Sequence, residues 1–431
     1  MRKRMSVVLA TAMMAMMLTA CSESSSTSED INTVNAEQTE ESKSETTEIE
    51  TTEAEAAKVE EASGDESDES AEDSNDMFTK RDMEQTADMS EAEIISVEDG
   101  KDISITEEGV YVISGASKDT TIYVEAGDED KVQIVLDGVS ITNASTPCIY
   151  VKSADKVFVT TTDSENSLAV TGTFEADGDT NLDAVIFSKE DLVVNGIGAL
   201  SIDSTDNAIT SKDTLKVTGG TLDIKCSGSG LEAHDAIEIA DGTVNITGCT
   251  DGLHAEDSDD DSIGSIYISG GTFNINASDD AIHATTTITI SGGEYTLVGA
   301  ECLEGTFIQI NDGTIDVTAS DDGINAAYKS SQFTPTFEMN GGTVTISMGA
   351  GDTDGVDSNG DIYINGGTIN ITGQSSFDYD GTAEHNGGTI IVNGEETDEI
   401  TNQMMGGPGG QGGFGPGGQD FGGGFGGQGP H

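Results

Sequence analysis

Apolar and polar residues alternate with a period of two through most of the chain between residues 190 and 395. The alternation is organised around a repeated Gly-Gly-Thr motif. The residue after each threonine is apolar, and so is the residue two positions further on. Such alternation places successive side chains on opposite faces of a strand, so one face is predicted to enter a core and the other to face solvent. The aligned positions are Thr221, Thr243, Thr272, Glu294, Thr314, Thr343, Thr368 and Thr389.

Successive members of this column are 20 to 29 residues apart. Each repeat holds one strand before the Gly pair, a second strand after it, and a third, shorter apolar step that follows an acidic turn. Repeats of this length built from strands, with no helical pattern between them, are typical of solenoids. The pattern therefore predicts an all-β fold, a parallel β-helix with about 20–29 residues and three short strands in each coil.

The chain is predicted to divide into five segments, three of which lie outside the fold. Residues 1–20 carry a basic start, an apolar stretch too short to span a membrane and a bacterial lipobox ending at Cys21, which together predict a lipoprotein signal peptide. Lipid on Cys21 would hold the protein outside the cytoplasm, anchored to the cell membrane or cell surface. Residues 21–77, rich in Glu, Ser and Thr, are predicted to be a disordered acidic tether, and residues 401–431 a Gly-rich disordered tail.

The β-rich part lies between the tether and the tail. Residues 78–188 alternate less regularly and are predicted to form an N-terminal cap with the first irregular coils, because a solenoid needs its open end covered. Residues 189–400 are predicted to form the β-helix itself. The sequence does not indicate an oligomeric state.

The composition is strongly acidic: 81 Asp and Glu stand against 17 Lys and Arg, which gives a formal net charge of −64 at pH 7. No arginine follows Arg81. Nucleic acid is therefore excluded as a natural partner, since phosphate binding requires Lys and Arg. An anionic polymer would also be repelled unless cations stand between the two surfaces.

The chain has five cysteines, one of them in the lipobox. Cys226 and Cys249 are one repeat apart and would stack in neighbouring coils, where a disulfide and two buried free thiols fit equally well. The spacing indicates no partner for Cys148 or Cys302.

Acidic residues recur beside the third strand of the repeats. Equivalent positions in neighbouring coils would lie about 5 Å apart, where two carboxylates repel each other unless a cation joins them or one is protonated. Ca²⁺ takes six to eight oxygen ligands and tolerates irregular geometry, so it is the predicted cofactor. The candidate metal ligands are Glu232, Asp251, Asp257, Asp279, Asp280, Asp321, Asp322, Asp352, Asp354 and Asp357.

Other interpretations compete with a calcium site. Asp and Asn before Gly also suit turns, because their side chains bond to the local backbone and tolerate positive φ. His254 and His283 fall in one column beside acids, an arrangement that would suit Zn²⁺. The excess of carboxylates favours Ca²⁺ over Zn²⁺, and a solvated histidine pair without any metal is the most favoured interpretation of these two residues.

Platforms that bind sugars usually carry aromatic side chains, and this chain contains no Trp. The alternation places Tyr267 and Tyr363 on the outer face, four coils apart in one column. Together with Tyr379 they are the predicted carbohydrate-binding residues.

These columns resemble a family of secreted bacterial right-handed β-helix proteins, the carbohydrate-binding domain-containing proteins, over about residues 90–400. The resemblance rests on the Gly-Gly-Thr repeats and on residues 187–192, 195–198, 278–284, 320–326, 354–360 and 377–381. It implies a right-handed fold similar to pectate lyases, bound Ca²⁺, and binding to cellulose and to acidic, polygalacturonate-like polysaccharides. The chain departs from the family pattern at Cys302, where a glycine is expected, and in the segment that contains Asp352 and Asp354.

A lyase of the pectate type needs, besides Ca²⁺, a Lys or Arg base that removes a proton next to a uronate carboxylate. Lys225 is the candidate base, because it points outward and lies close in sequence to Glu232. An ordinary surface ion pair is the favoured role of Lys225. The scarcity of cations favours a non-catalytic cell-surface binder of plant cell-wall polysaccharide, with a calcium-dependent lyase and a structural adhesin without sugar specificity as alternatives.

Overall fold

The computed structural model describes residues 77–349 and 353–403, and its regular structure is entirely β. The described residues contain no helix, and so none that could cross a membrane. The predicted signal peptide, Cys21, the tether up to residue 76 and the tail from residue 404 lie outside the described residues, as does Asp352.

Thirty-two strands follow one another along the described part of the chain. They are β1 (Glu93–Ser96), β2 (Ile103–Ile105), β3 (Gly109–Lys118), β4 (Ile122–Glu125), β5 (Lys131–Asn143), β6 (Ile149–Ser153), β7 (Lys156–Thr161), β8 (Glu165–Val170), β9 (Ala184–Ser188), β10 (Asp191–Gly196), β11 (Ala199–Ser204), β12 (Asn207–Ser211), β13 (Thr214–Val217), β14 (Thr221–Lys225), β15 (Leu231–Ala233), β16 (Ala236–Ile239), β17 (Thr243–Cys249), β18 (Leu253–Ala255), β19 (Ser265–Ile268), β20 (Thr272–Ala277), β21 (Ile282–Gly299), β22 (Leu303–Ala319), β23 (Ile324–Ala326), β24 (Thr336–Met339), β25 (Thr343–Met348), β26 (Asp354–Ser358), β27 (Asp361–Ile364), β28 (Thr368–Thr372), β29 (Ser375–Tyr379), β30 (Ala383–His385), β31 (Thr389–Val392) and β32 (Glu395–Thr397).

Parallel pairing joins strands β1 to β31 into three ladders, in which each strand lies beside its counterparts one repeat earlier and one repeat later, while β32 pairs antiparallel with β31. Ladder A runs from β1 through β10, β16 and β21 to β30. Ladder B runs from β3 through β14 and β21 to β31, and ladder C from β2 through β12 and β21 to β29. The predicted alignment of the threonine column is confirmed, since Thr221 pairs with Thr243 and Thr243 with Thr272.

The predicted right-handed β-helix, with three short strands in every coil, is wrong. Strand β5 runs unbroken through ladders A and B, and β21 runs through all three. Alternation fixes which side chains face inward, but it does not show whether the backbone stays paired around a corner. By these pairings twelve strands close into a parallel barrel, to which the other strands are added: β5, β7, β10, β13, β16, β19, β21, β20, β17, β14, β11 and β8.

The Gly pairs turn the chain at the corners without always ending a strand. Gly293 lies inside β21 with φ of 101°, a left-handed value that favours glycine. A Cβ atom there would come within 3.0 Å of the Gly271 carbonyl oxygen in the preceding repeat. The predicted division into one strand before the Gly pair and one after it holds in most repeats, for example between β13 and β14, but not in β21 and β22, which run through this position.

The strands before residue 189, where a cap with the first irregular coils was predicted, pair in the same three ladders as the later strands. The segment 77–92 crosses the outer side of ladder A instead. The carboxylate of Asp82 is completely buried there, with Lys156 Nζ at 3.5 Å and Lys216 Nζ at 3.7 Å. The Arg81 guanidinium lies over the Phe158 ring, 4.7 Å from its centroid. This segment covers apolar side chains that would otherwise face water.

Aligned aliphatic side chains fill the interior of the ladders. In ladder C, for example, Ile209, Leu231, Leu253 and Ile282 follow one another in register and are completely buried. Burying one such side chain contributes roughly 1.5–3 kcal/mol. No repeat could bury its apolar face alone, so the columns hold neighbouring repeats together.

The structure distinguishes the cysteines that the spacing could not. Cys226 and Cys249 form a disulfide between neighbouring repeats, with their Cα atoms 4.7 Å apart. Cys148 and Cys302 are buried free thiols, and burial raises the pKa of each to about 12. The disulfide thus fixes ladder B at one point.

Candidate functional site

The outward-facing column of ladder C carries the candidate site. Each of its residues follows an inward-facing apolar neighbour, so the alternation directs it away from the core. We call the first three members the aromatic half, and the last seven, with the side chains that surround them, the acidic half. In order along the ladder from β4 onward, the column is Tyr123, Tyr150, Phe187, Thr210, Glu232, His254, His283, Glu304, Asn325, Asp357 and Asp378.

The acidic half contains a shallow depression with a volume of about 320 Å³. Two histidines and one lysine meet five carboxylates around it. Its lining residues are Asp251, His254, Asp279, Asp280, His283, Glu301, Glu304 and Lys329.

His283 lies at the centre of this depression, and 8% of its side chain is exposed. Its Nδ1 atom is 2.7 Å from Asp280 Oδ2 and 2.8 Å from Glu304 Oε2. Burial disfavours the charged imidazolium, but the carboxylates of Asp280, Glu256 and Glu304 outweigh burial and raise the pKa of His283 to about 11. In the absence of a metal, His283 is therefore a cation among these carboxylates.

His254 packs edge-on against His283, with 4.8 Å between the ring centroids. Its Nε2 atom lies 3.5 Å from Glu256 Oε2, and His283 Nε2 lies 3.4 Å from the same oxygen. Burial opposes the charge on His254 as well, yet Glu232 and Glu256 raise its pKa to about 9. The two imidazoles hold the pKa of Glu256 well below its usual range.

The pKa values of the next two carboxyl groups, Glu304 and Glu301, are shifted in opposite directions. Burial disfavours the charged form of Glu304, but His283 and Lys329, whose Nζ atom is 2.8 Å from Glu304 Oε1, lower its pKa to about 2. Burial and the neighbouring charge of Glu304 raise the pKa of Glu301 to about 8. Asn325 donates a hydrogen bond of 2.9 Å to Glu301 Oε2. At neutral pH the Glu304 carboxyl group is thus charged, while the adjacent Glu301 carboxyl group is mostly protonated.

Further along the acidic half, carboxylates stand without basic partners. Burial raises the pKa of Asp322 to about 7, and the charges of Asp357, Asp321 and Asp354 add to the effect. Burial likewise raises the pKa of Asp357 to about 6, assisted by neighbouring aspartates. In the described part of the chain, no Lys, Arg or His forms an ion pair with Asp322 or Asp357. A bound cation would relieve the repulsion between them.

The predicted metal ligands are distributed along this column. Asp251, Asp279 and Asp280 line the depression, while Asp321, Asp322, Asp354 and Asp357 lie close enough to influence one another further on. Two others have ion-pair partners of their own: Glu232 lies 3.4 Å from Lys212 Nζ, and Asp257 lies 3.2 Å from His234 Nδ1.

Two groups of three side chains converge closely enough to hold one ion. Within residues 77–349 and 353–403, the ligand atoms of His254, Glu256 and His283 lie within 4.8 Å of one another, and so do those of Asp280, His283 and Glu304. Both groups contain an imidazole, whereas Asp322 and Asp357 offer only the oxygen ligands that Ca²⁺ prefers. The donor chemistry of the two aspartates fits Ca²⁺.

Glu256 and Glu304 were not among the predicted ligands, although the sequence contained a signal for each. Glu256 lies two residues after His254, so the alternation places both on one face. Glu304 pairs with His283 in the ladder, at the position expected from the column alignment.

The predicted catalytic base and sugar-binding tyrosines lie elsewhere. Lys225 is exposed at the end of β14 in ladder B, so the structure does not bring it into the acidic half of ladder C. Tyr267 and Tyr363 share one outward column of ladder A and are four strands apart. Tyr379 anchors the C-terminal segment, because its hydroxyl donates to the Ile400 carbonyl and its own carbonyl accepts from Asn402 Nδ2 at 2.6 Å.

Comparison with known proteins supplies the family context. The model of the family described as "Carbohydrate-binding domain-containing protein" matches residues 99–305 and 302–403. A protein of that description from Acetivibrio thermocellus is 35% identical over 126 residues, which are 28% of this chain and 44% of the relative. The chain therefore spans less than half the length of that relative.

A solved structure, a polysaccharide lyase-like protein from C. thermocellum, aligns with 68% of this chain and 98% of its own. The two sequences are 23% identical over the alignment, and the TM-score is 0.42. At this level of similarity the solved structure supports no inference about function.

Proposed function

Since the chain belongs to the family of carbohydrate-binding domain-containing proteins, we propose that it binds plant cell-wall polysaccharide, both cellulose and acidic, pectin-like chains, without cleaving it. The acidic half of ladder C is the surface for acidic chains, where Ca²⁺ joins sugar carboxylates to protein carboxylates. The observation that carries the proposal is the pair Asp322 and Asp357, whose pKa values are raised to about 7 and about 6.

The net charge of the chain supports a bridging cation. The chain carries a formal net charge of −64, so a polyuronate would be repelled from its bare surface. Neighbouring strands in a ladder are about 4.8 Å apart, and Ca²⁺ binds oxygen at about 2.4 Å. Asp357 is in register with Asn325 and not with Asp322, but its charge acts on Asp322 from the adjacent repeat, so we expect one ion to lie within reach of both side chains. Its remaining ligand positions are available to water and to a uronate carboxylate.

The lysines near the acidic half favour binding over lyase chemistry. A lyase base must be neutral to accept a proton. Burial opposes the charge on Lys329, but its contact with Glu304 raises its pKa, so the amine stays protonated. Lys212 lies 3.4 Å from Glu232, in a similar ion pair, and Lys225 belongs to another ladder.

Retention on polygalacturonate tests the calcium bridge. The protein is expected to be retained in Ca²⁺ and released by EDTA; retention that EDTA leaves unchanged contradicts the bridge. Unsaturated products that absorb in the ultraviolet, formed from pectate and Ca²⁺, would show a lyase instead. Silence on a glycan array, together with retained attachment to cell walls, would indicate an adhesin without sugar specificity.

We propose further that lipid on Cys21 anchors the protein at the cell surface. The support is the lipobox at residues 18–21. Labelling with a radioactive fatty acid is expected to mark the wild-type protein and not Cys21→Ala, which should appear in the medium. Label on the variant, or a variant that stays with the membrane, would contradict the anchor.

A further inference from the structure

We propose that His254, His283 and Glu256 form a Zn²⁺ site, separate from the proposed calcium ligands Asp322 and Asp357. Two imidazole nitrogens and one carboxylate oxygen are a ligand set that Zn²⁺ takes readily, whereas Ca²⁺ takes oxygen. His254 and His283 are direct neighbours in ladder C. Glu256 follows His254 by two residues and therefore lies on the same face.

Two of the three distances between these atoms match a tetrahedral ion, and all three ligand atoms lie within 4.8 Å of one another. Zn²⁺ binds nitrogen and oxygen at about 2.0–2.1 Å, which places two neighbouring ligand atoms of a tetrahedral site about 3.3 Å apart. Glu256 Oε2 lies 3.5 Å from His254 Nε2 and 3.4 Å from His283 Nε2. The three side chains need little rearrangement to share one ion.

Carboxylates behind His283 orient its ligand atom. His283 Nδ1 is within hydrogen-bond distance of Asp280 at 2.7 Å and Glu304 at 2.8 Å, so this nitrogen carries a proton and Nε2 remains available to a metal. His254 Nδ1 lies 4.0 Å from Glu232 Oε2, which is too far for a hydrogen bond, so the orienting contacts are those of His283. A carboxylate behind a ligating histidine fixes its ring and tautomer in many metal sites.

An unsatisfied atom indicates where a ligand belongs. The His283 side chain is 8% exposed, and its Nε2 atom makes no hydrogen bond among the described residues. Glu256 Oε2 is near this nitrogen without the alignment that a hydrogen bond needs. Leaving such a buried polar atom unpaired destabilises the folded protein. A metal ion between Nε2 and the carboxylate would remove this cost.

The second convergent group is a poorer site for the ion. Asp280, His283 and Glu304 also offer three ligand atoms. The distances of 2.7 and 2.8 Å from His283 Nδ1 are those of direct hydrogen bonds and leave no space for a metal between the atoms. Glu256, by contrast, is 41% exposed, so the proposed site opens to solvent and an ion can enter.

Calorimetric titration of the full mature chain with ZnCl₂, in excess Ca²⁺, tests the site. We expect one equivalent of Zn²⁺ to bind, and Co²⁺ to give the intense visible absorption of tetrahedral coordination. His283→Gln and Glu256→Gln should each weaken Zn²⁺ binding at least tenfold. His385→Gln is the matched control, since His385 lies on β30 in ladder A, and it should leave binding unchanged.

Asp280→Asn separates orientation from ligation. Asp280 orients the His283 ring and does not itself bind the ion. Its change to Asn should therefore weaken Zn²⁺ affinity about 10–100-fold, while the shape of the Co²⁺ spectrum is retained. The unfolding midpoint of every variant is measured alongside, and Glu256→Gln carries the test if His283→Gln does not fold, because Glu256 is half-exposed. Zn²⁺ binding that is equally tight in Glu256→Gln, or a chain that binds no stoichiometric Zn²⁺, would overturn the proposal.

Discussion

The two halves of the outward column of ladder C share one backbone arrangement and differ in how their side chains are satisfied. In the aromatic half, Tyr150 and Phe187 are buried in a small cluster with Leu182. The Tyr150 hydroxyl donates to Asp177 at 3.3 Å. Lys152 lies over the Tyr150 ring and 3.4 Å from Asp177. The Tyr150 hydroxyl, Lys152 and Asp177 therefore all have partners within the fold.

In the acidic half, only some of the charged groups have partners of opposite charge within the described part of the chain. Glu304 has both His283 and Lys329, but Asp322 and Asp357 have no basic partner among the described residues. The same ladder thus carries a covered face at one end and, at the other, an open face on which some carboxylates have no basic partner among the described residues. The difference comes from the side chains and not from the backbone.

The largest expected difference between the halves is in stability. Phe187→Ala should lower the free energy of unfolding by about 3–5 kcal/mol, because it removes a completely buried ring. Asp322→Asn, measured in EDTA, should raise stability, since it removes a half-buried charge beside other aspartates. Denaturant unfolding measures both. If Asp322→Asn destabilises the protein as much as Phe187→Ala does, the acidic half is structural in the same sense as the aromatic half.

Calcium should act on one half alone. At a free Ca²⁺ concentration of 100 times its Kd, binding adds about 2.7 kcal/mol to the free energy of unfolding. The gain should disappear in the double variant Asp322→Asn, Asp357→Asn and persist in Phe187→Ala. The thermal midpoint with and without EDTA measures the effect. A gain that survives the double variant would place the calcium elsewhere.

The raised pKa of Asp322 predicts the sign of a pH effect. Its pKa lies near 3.8 in an unfolded chain and at about 7 in the folded protein. Between these values the folded state binds more protons, so this carboxyl group makes the protein less stable as pH rises from about 4 to about 7. In EDTA, the stability advantage of Asp322→Asn over wild type should therefore grow across this interval. An advantage that is constant with pH would contradict the shift.

The smallest expected effect concerns the tyrosines of ladder A. Tyr267→Ala with Tyr363→Ala removes aromatic surface that we propose contacts neutral chains such as cellulose. Retention on cellulose should fall several-fold, while retention on polygalacturonate in Ca²⁺ should stay unchanged. Equal loss of retention on both polysaccharides would show that the tyrosines of ladder A and the acidic half of ladder C do not bind different chains.

Much of this arrangement could be predicted from alternation, because a period of two decides which side chains share a face. The threonine column, the position of Glu304 beside His283 and the four-strand separation of Tyr267 and Tyr363 all followed from it. The unbroken course of β21 did not, since pairing around a corner depends on backbone geometry that glycine permits without requiring.

The aromatic half was missed for a different reason. Tyr123, Tyr150 and Phe187 lie in the less regular region, where spacings of 27 and 37 residues hide the column. The role of Glu256 also depends on side-chain convergence across two strands, which residue spacing indicates only in part. The burial of Asp322 and Glu301, and the pKa shifts that result from it, can be determined only from the packed structure.

The central claim is that Ca²⁺ at the acidic half joins the protein to acidic polysaccharide. Its most direct test is the Kd for a polygalacturonate oligomer in Ca²⁺. This Kd is measured for the double variant Asp322→Asn, Asp357→Asn and for the matched control Asp316→Asn. Asp316 is an exposed aspartate on ladder B. We predict that the double variant loses binding to the level seen in EDTA and that Asp316→Asn binds like wild type. Wild-type affinity in the double variant, or equal losses in both proteins, would contradict the claim.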